Sequence, residues 1–407
     1  KKKKKKKKAK LVWAPIAIGT DIGGSLRSPA NFCGIMAHKC SSKRVMGAGK
    51  EGISGGNYWG KPTVKGVVGP LSRYVDDLVA VMKVLYSPQG FELDPHLPPI
   101  VFRDEIYNST KKLKVAYLIN DGYFTPVATV QRAVKETIAY VKNELKYEVV
   151  NLEEVLLRRQ EVFEPYSSLG EIATMKYFEY AGAPGNMSDY IDALKGEYLM
   201  PGFSETYKGS LIPNFLRPLI SKILYLNGEE KKAKIVAESY VRFSNEEKKK
   251  KKKYKNKNKN KNVRRGGVSV KKERQINYDI DQFRYRFWQM MNEENIDLII
   301  SPVNAFPALP IHFSSHFLNC LSHQMLQNVL DTASCAIGPV AFVRENEACY
   351  SVADLPRFEQ NRSTRILAEY MKGLQGMPVG LQVWGKPFDD ELVFRLCKEL
   401  ENIVQKY

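Results

Sequence analysis

The chain has 407 residues, 43% of them hydrophobic, and a formal charge of +19. Lys1 to Lys8 and ten lysines between positions 248 and 261 carry nearly all of that excess, so the rest is close to neutral and nucleic acid is not an expected partner. No run of about 18 uncharged apolar residues encodes a spanning helix, and no secretory signal is legible because the first lysines precede no apolar core region.

Residues 1–8 are homopolymer and outside any expected fold. A glycine-rich loop, Ile18 to Gly34, comes first, and a helical pattern is expected from Pro70, with Leu78, Val81, Met82 and Leu85 on one face. Lys112 to Ile119 alternates like a strand. The segment "PVATVQRAVKETIAYVKNEL" reads as an amphipathic helix opened by proline, and "YEVVNLE" as the next strand. Strand, helix, strand in that order predicts a βαβ unit with parallel pairing. Residues 153–181 read as helical, and residues 248–267 as a solvated Lys/Asn linker. A helix over "NYDIDQFRYRFWQMMNEEN" precedes a buried parallel strand at Ile296 to Val303. A strand at Gly376 to Gly385 and a helix capped by Asp389 or Asp390 close the chain. The class is α/β with a parallel or mixed sheet. Six cysteines, Cys33, Cys40, Cys320, Cys335, Cys349 and Cys397, follow no CxxC or regular spacing, which predicts reduced thiols. His312, His316 and His323 lack a companion at zinc spacing, so no metal is expected.

The loop "IGTDIGGSLRSPANFCG" holds the candidate chemistry. Backbone N–H groups of Ile22, Gly23, Gly24 and Ser25 can converge on one point if the chain curls tightly, which glycine permits. Such a nest suits an oxyanion, and a serine beside it can attack a carbonyl carbon. Asp21 and Arg27 flank the turn and can pair across it as loop support. The competing reading is a glycine-rich turn with an exposed serine. The string is neither a GxSxG elbow nor a dinucleotide fingerprint.

The longer string "GTDIGGSLRSPANFCGI" resembles the signature of the amidase-signature family, serine hydrolases with a serine–serine–lysine triad, and within it the fatty-acid amide hydrolases. The resemblance extends through "VVGPLSRYVDDLVAVMKVL", "FELDPHLPPIVFRDEIYNSTKKLKVAYL", "NIDLIISPV", "MLQNVLDTASCAIGPV" and "GMPVGLQVWGKPFDDELVFRLCKELENI". Residues near 183–210 and the lysine linker do not share it. It implies an α/β fold with a single α/β/α domain on a twisted mixed, largely parallel central sheet. That domain would cover residues 9–407, interrupted at 248–267. Ser25 is implied as the acyl-ester nucleophile, with Ile22, Gly23, Gly24 and Ser25 as oxyanion and substrate-binding donors. The implied mechanism runs through a bridging serine and a neutral lysine, and no metal or organic cofactor is implied. The bridging serine of the family lies roughly two dozen residues upstream of the nucleophile, a position that falls inside Lys1–Lys8. The expectation is therefore a domain incomplete at its N-terminus and impaired as a catalyst. "ISGGN" (Ile53 to Asn57) lies downstream and does not replace the missing serine.

Leu211 to Leu226, "LIPNFLRPLISKILYL", repeats Ile212, Phe215, Leu216, Leu219, Ile220, Ile223 and Leu224 at helical spacing, with Arg217, Ser221 and Lys222 between them. The resemblance implies a cap that docks on membrane, with Phe215, Leu219 and Ile223 in it, and the alternative is a core helix. Leu318, Leu321 and Met325 recur at helical spacing and match the acyl-channel position of the family, a pattern that core packing also produces. The implied partners are a lipid amide substrate and a membrane surface, bound monotopically at the cytoplasmic face of intracellular membranes, and a homodimer is allowed. The rival functions are a non-catalytic lipid-binding remnant and a short-chain amidase or amidotransferase subunit.

Overall fold

The computed structural model describes residues 14–45, 62–94, 96–185, 191, 194, 197–199, 201–213, 215–238, 268–310 and 320–404. Both lysine runs, the insertion 248–267, Ile53 to Asn57, His312, His316 and Leu318 fall outside these residues. In chain order the elements begin with β1 (Ile16–Asp21), α1 (Arg27–Cys33), β2 (Met36–Lys39), β3 (Val67–Ser72), α2 (Val75–Leu85), α3 (Pro88–Leu93) and α4 (Asp104–Tyr107). There follow β4 (Lys114–Tyr117), α5 (Ala128–Asn143), β5 (Glu148–Asn151), α6 (Leu152–Arg158), α7 (Leu169–Gly182), α8 (Pro201–Ser210), α9 (Arg217–Leu226), α10 (Glu230–Glu238) and α11 (Val270–Glu293). The last are β6 (Leu298–Pro302), α12 (Ser322–Leu330), β7 (Ser334–Phe342), α13 (Arg362–Met371), β8 (Pro378–Trp384) and α14 (Asp390–Leu400).

The strands form one sheet in the order β1-β3-β2-β7-β8-β6-β4-β5. Alternate residues of its central strands serve opposite layers, because successive strand side chains point to opposite faces. Val115, Leu298, Ile300, Leu381 and Val383 pack into a core with α2, α5, α13 and α14. Ala116, Ile299 and Trp384 pack into a second core with α6, α7, α11 and α12. The helices match this with one apolar stripe each: Ile276, Ile280, Phe283 and Phe287 of α11 recur every three or four residues and are fully buried. Phe287 stacks on Trp384 with ring centroids 5.8 Å apart, and Trp384 donates from Nε1 to Ser301 Oγ at 3.0 Å. The result is a three-layer α/β/α arrangement on a mixed sheet.

Three expectations need correction. The sheet is mixed but not largely parallel: among the described residues parallel pairing is confined to β4 with β5 and β4 with β6, and every other pair is antiparallel. The short apolar run expected to be a parallel strand, Ile296 to Val303, is β6, which pairs parallel with β4 on one side and antiparallel with β8 on the other. Here the helical layers cover antiparallel β7 and β8 just as fully, so burial does not reveal direction. The helix expected from Pro70 starts at Val75, because Val67–Ser72 is taken up by ladders to β1 and β2. The helical stretch 153–181 is two helices, α6 and α7, separated by irregular chain and a single turn at Gln160–Val162.

Candidate active site

The loop after β1 is shaped from below by a buried ion pair. Asp21, the last residue of β1, and Arg27, the first of α1, are both fully buried. Arg27 donates from Nε to Asp21 Oδ2 at 3.1 Å and from Nη2 to Asp21 Oδ1 at 3.2 Å. Burial would push the Asp21 carboxyl up; the charge and hydrogen bonds of Arg27, with the charge of Lys39, outweigh it and lower the pKa to about 2. The remaining Arg27 donors reach Gln327 Oε1 and Gln382 Oε1, each at 2.9 Å, Asn328 Oδ1 at 2.6 Å and the Gln324 carbonyl at 3.1 Å. Asn328 also donates from Nδ2 to Asp21 Oδ1 at 3.0 Å. A buried charge pair is tolerated when its spare donors and acceptors are filled in this way.

Asp21 then sets the turn. Its Oδ1 accepts the Gly24 N–H at 2.7 Å and its Oδ2 the Leu26 N–H at 3.2 Å. This corrects the expected oxyanion set: the Gly24 N–H faces inward and is committed to Asp21. The N–H groups of Ile22, Gly23 and Ser25 donate to no group among the described residues, so these three remain as candidate oxyanion donors. Ser25 itself is exposed between buried Gly24 and buried Leu26, and its Oγ makes no hydrogen bond among the described residues.

The glycines are required here by contact as well as conformation. Gly24 has φ +110°, and a Cβ on it would lie 1.6 Å from Gln324 Oε1. A Cβ on Gly23 would lie 2.7 Å from the Tyr177 hydroxyl of α7. α1 is pinned in turn to the sheet. Ser28 and Asn31 hydrogen-bond to Asn304, and Asn31 Oδ1 accepts the Gly380 N–H at 2.6 Å.

Sequence reading missed the amides that surround the ion pair. Gln324, Gln327 and Asn328 lie at i, i+3 and i+4 on α12, and Gln382 on β8. That spacing was legible as one polar helix face, yet nothing local pairs it with Asp21 and Arg27 some three hundred residues earlier. Gln324 is fully buried, and neither its Oε1 nor its Nε2 is hydrogen-bonded among the described residues. Of the proposed acyl-channel residues, Leu321 and Met325 are both buried beside this face.

The greasy segment lies on the surface. Phe215, Leu219 and Ile223 are 78%, 57% and 49% exposed, and Leu226 and Tyr225 extend the stripe. Ser221 Oγ donates to the Ala233 carbonyl at 2.9 Å and ties α9 to α10. Arg217, which the spacing places between the apolar residues, is buried and donates to the carbonyls of Ile212, Ser210 and Gly209, closing the turn before α9. Lys222 is exposed. No helix among the described residues is long and apolar enough to cross a membrane.

Two curated relatives align along nearly the whole chain. Fatty-acid amide hydrolase 1 of Sus scrofa is 24% identical over 394 residues, 96% of this chain and 59% of its own length. Fatty acid amide hydrolase 1 of Caenorhabditis elegans is 25% identical over 391 residues, 96% of this chain and 60% of its own. The chain thus spans about three fifths of the length of these relatives. A solved structure of fatty acid amide hydrolase superposes with a TM-score of 0.64 at 22% identity, covering 95% of this chain and 56% of that one, which is a likeness of fold. The family model Amidase matches residues 11–394, and by that match the chain belongs to the amidase family.

Proposed function

We propose that this chain is the amidase domain of a serine hydrolase that cleaves lipid amides to a fatty acid and an amine. The observation that carries the reading is the exposed Ser25 hydroxyl, held by the buried Asp21–Arg27 pair beside three uncommitted N–H groups. In the proposed reaction Ser25 Oγ bonds to the amide carbonyl carbon, and the carbonyl oxygen takes up negative charge toward the N–H groups of Ile22, Gly23 and Ser25. Collapse breaks the C–N bond, the amine leaves with a proton, and water hydrolyses the acyl-serine. The family resemblance assigns proton transfer to a bridging serine and a neutral lysine, and no described residue takes that part at Ser25. Support for a lipid acyl chain is the exposed stripe Phe215, Leu219, Ile223, which suits an amphipathic helix lying in a membrane interface, and the similarity to fatty-acid amide hydrolases. The proposed location is the cytoplasmic face of a membrane, which keeps the six free cysteines reduced.

The lack of a hydrogen-bond partner on Ser25 Oγ among the described residues favours a second reading, a lipid-binding protein without turnover. Fluorophosphonate labelling and oleamide hydrolysis, each compared with Ser25→Ala, separate the two. Labelling and hydrolysis that vanish in the alanine variant support the hydrolase. Liposome binding with no labelling supports the binding protein. Hydrolysis that survives in Ser25→Ala overturns the nucleophile assignment.

A further inference from the structure

The loop after β4 and the turn before α13 enclose a charged side chain that plays no part at Ser25. Lys231, in the first turn of α10, is more than nine-tenths buried, and its Nζ makes no hydrogen bond among the described residues. Three rings lie within reach of that nitrogen: the Tyr123 centroid is 4.4 Å away, Phe358 5.3 Å and Phe124 5.6 Å. All three are cation–π distances, and several rings around one cation are the means by which proteins recognise organic ammonium ions.

The walls of this cage are held by bonds that do not involve Lys231. Asp121 Oδ1 accepts the Tyr123 N–H at 2.9 Å and the Phe124 N–H at 3.3 Å. Glu359, the neighbour of Phe358, accepts the Thr125 N–H on Oε2 at 2.8 Å and the Thr125 hydroxyl on Oε1 at 3.1 Å, which ties the two walls together. Phe124 packs edge-on against Phe306, with centroids 5.9 Å apart. His323 Nε2 lies 3.3 Å from the Phe124 carbonyl and 3.7 Å from Asp121 Oδ1. Both carboxylates are buried. One acceptor is left over: Asp121 Oδ2, like Lys231 Nζ, has no hydrogen-bond partner among the described residues. The lysine stem, anchored on α10, thus leaves its three donors unused beside an unused carboxylate oxygen. Burial pushes the Lys231 ammonium toward its neutral form, against the charges of Glu359 and Asp121. A buried charge without hydrogen bonds is a poorly matched occupant.

We propose that Tyr123, Phe124 and Phe358, backed by the Asp121 carboxylate, form a binding site for a free primary alkylammonium ion, and that Lys231 is its built-in occupant. The occupant defines the ligand class, an ammonium on an unbranched four-carbon stem. A free ion of that kind lacks the tether to α10, so it can donate to Asp121 Oδ2 while its stem lies against the rings. Its entry displaces Lys231 and loosens the first turn of α10 from the body. The Lys234–Glu171 ion pair at 2.6 Å and the Arg362 N–H to Glu229 Oε1 bond at 3.1 Å still hold the helix. Because Ser221 Oγ joins α9 to the Ala233 carbonyl of α10, the ligand acts on the hairpin that carries the exposed stripe of Phe215, Leu219 and Ile223. The site needs no turnover at Ser25 and does not rest on the hydrolase reading.

The test uses the whole chain, with n-butylammonium chloride as the probe and sodium chloride at equal ionic strength as the control. In the parent, n-butylammonium should speed hydrogen exchange across α10 about tenfold and leave β6 and β8 unchanged. In Lys231→Ala the internal competitor is gone, so the probe should raise the melting temperature saturably, at a half-saturating concentration about tenfold below that of the parent. Phe358 is 38% exposed, so Phe358→Leu should leave the fold intact. In the Lys231→Ala background it should raise the half-saturating concentration about tenfold. If the Lys231 variant does not fold, exchange in the parent decides the point alone. The proposal is overturned if n-butanol stabilises Lys231→Ala as much as n-butylammonium does, since the hole is then merely apolar. It is equally overturned if α10 of the parent exchanges in n-butylammonium as it does in sodium chloride. Phosphatidylethanolamine vesicles that loosen α10 where soluble n-butylammonium does not would replace the free ion with a lipid headgroup and overturn the assignment made here.

Discussion

Arg27 and Asp21 form a two-point ion pair across the turn that carries Ser25, at 3.1 Å and 3.2 Å, with both side chains fully out of solvent. Because the same carboxylate accepts the Gly24 and Leu26 N–H groups, the pair fixes the backbone on either side of the serine. Removing the cation leaves a buried carboxylate and strands two glutamines and an asparagine.

Arg27→Ala should therefore cost about 3–5 kcal/mol of stability, the range for breaking one side of a buried pair. Arg27→Lys should recover little of it, because a single ammonium cannot replace six hydrogen bonds made by a planar fork. Urea denaturation measures both, and fluorophosphonate labelling should fall in parallel. An Arg27→Ala protein as stable as the parent would show that the pair does not organise the loop.

Gly24→Ala should be strongly destabilising, by about 2–4 kcal/mol, since the new methyl meets Gln324 and the backbone is in a region unfavourable for alanine. Gln324→Ala in the same chain should return only part of the steric share, because Gln324 Cβ itself would lie 2.8 Å from the new methyl, and should leave the backbone share of about 1–2 kcal/mol. Gln324→Leu alone should be neutral or stabilising, because it removes a buried amide with no partners. Thermal melts of the three variants form the cycle.

Replacing Phe215, Leu219 and Ile223 together with serine should release the protein from liposomes and leave thermal unfolding within about 1 kcal/mol of the parent, as expected for exposed side chains. Lys222→Glu should weaken flotation on anionic vesicles specifically. Arg217→Ala should instead lower stability, because its guanidinium closes the turn before α9. A triple variant that unfolds would place the stripe in the core.

Asp389 precedes α14 but makes no capping bond, and burial, reinforced by the charge of Asp390, raises its carboxyl to about 6 despite Lys386 and Arg103. The unfolded value is 3.8, so the folded state resists ionisation and the penalty is complete above pH 6. As pH falls from about 6 to about 4 the penalty is relieved, and below that both states are neutral. Asp389→Asn should stabilise by about 1–3 kcal/mol at pH 7 and by nothing near pH 3.5. Equal gains at both pH values would contradict the titration.

Periodicity carried most of the local structure. The alternation of Val115 with Ala116, and of Leu298 and Ile300 with Ile299, follows from a strand covered on both faces, and the stripe of α11 follows from helical spacing. The loop was also legible, because two glycines before an exposed serine, flanked by an aspartate and an arginine, leave few conformations to the backbone. Strand direction was legible for β4 and β5, where the strand–helix–strand order requires parallel pairing, but not for β7 and β8, since two-sided burial is the same for parallel and antiparallel pairs. The commitment of the Gly24 N–H to Asp21 was hidden as well, because hydrogen-bond direction depends on dihedrals that glycine leaves open. Gln324, Gln327, Asn328 and Gln382 became part of the Ser25 loop, and Cys335 the neighbour of His38, only when the chain folded. Sequence periodicity encodes which face of an element is buried; the partner on that face is chosen by long-range packing, and the chemistry of buried charges resides in that partner.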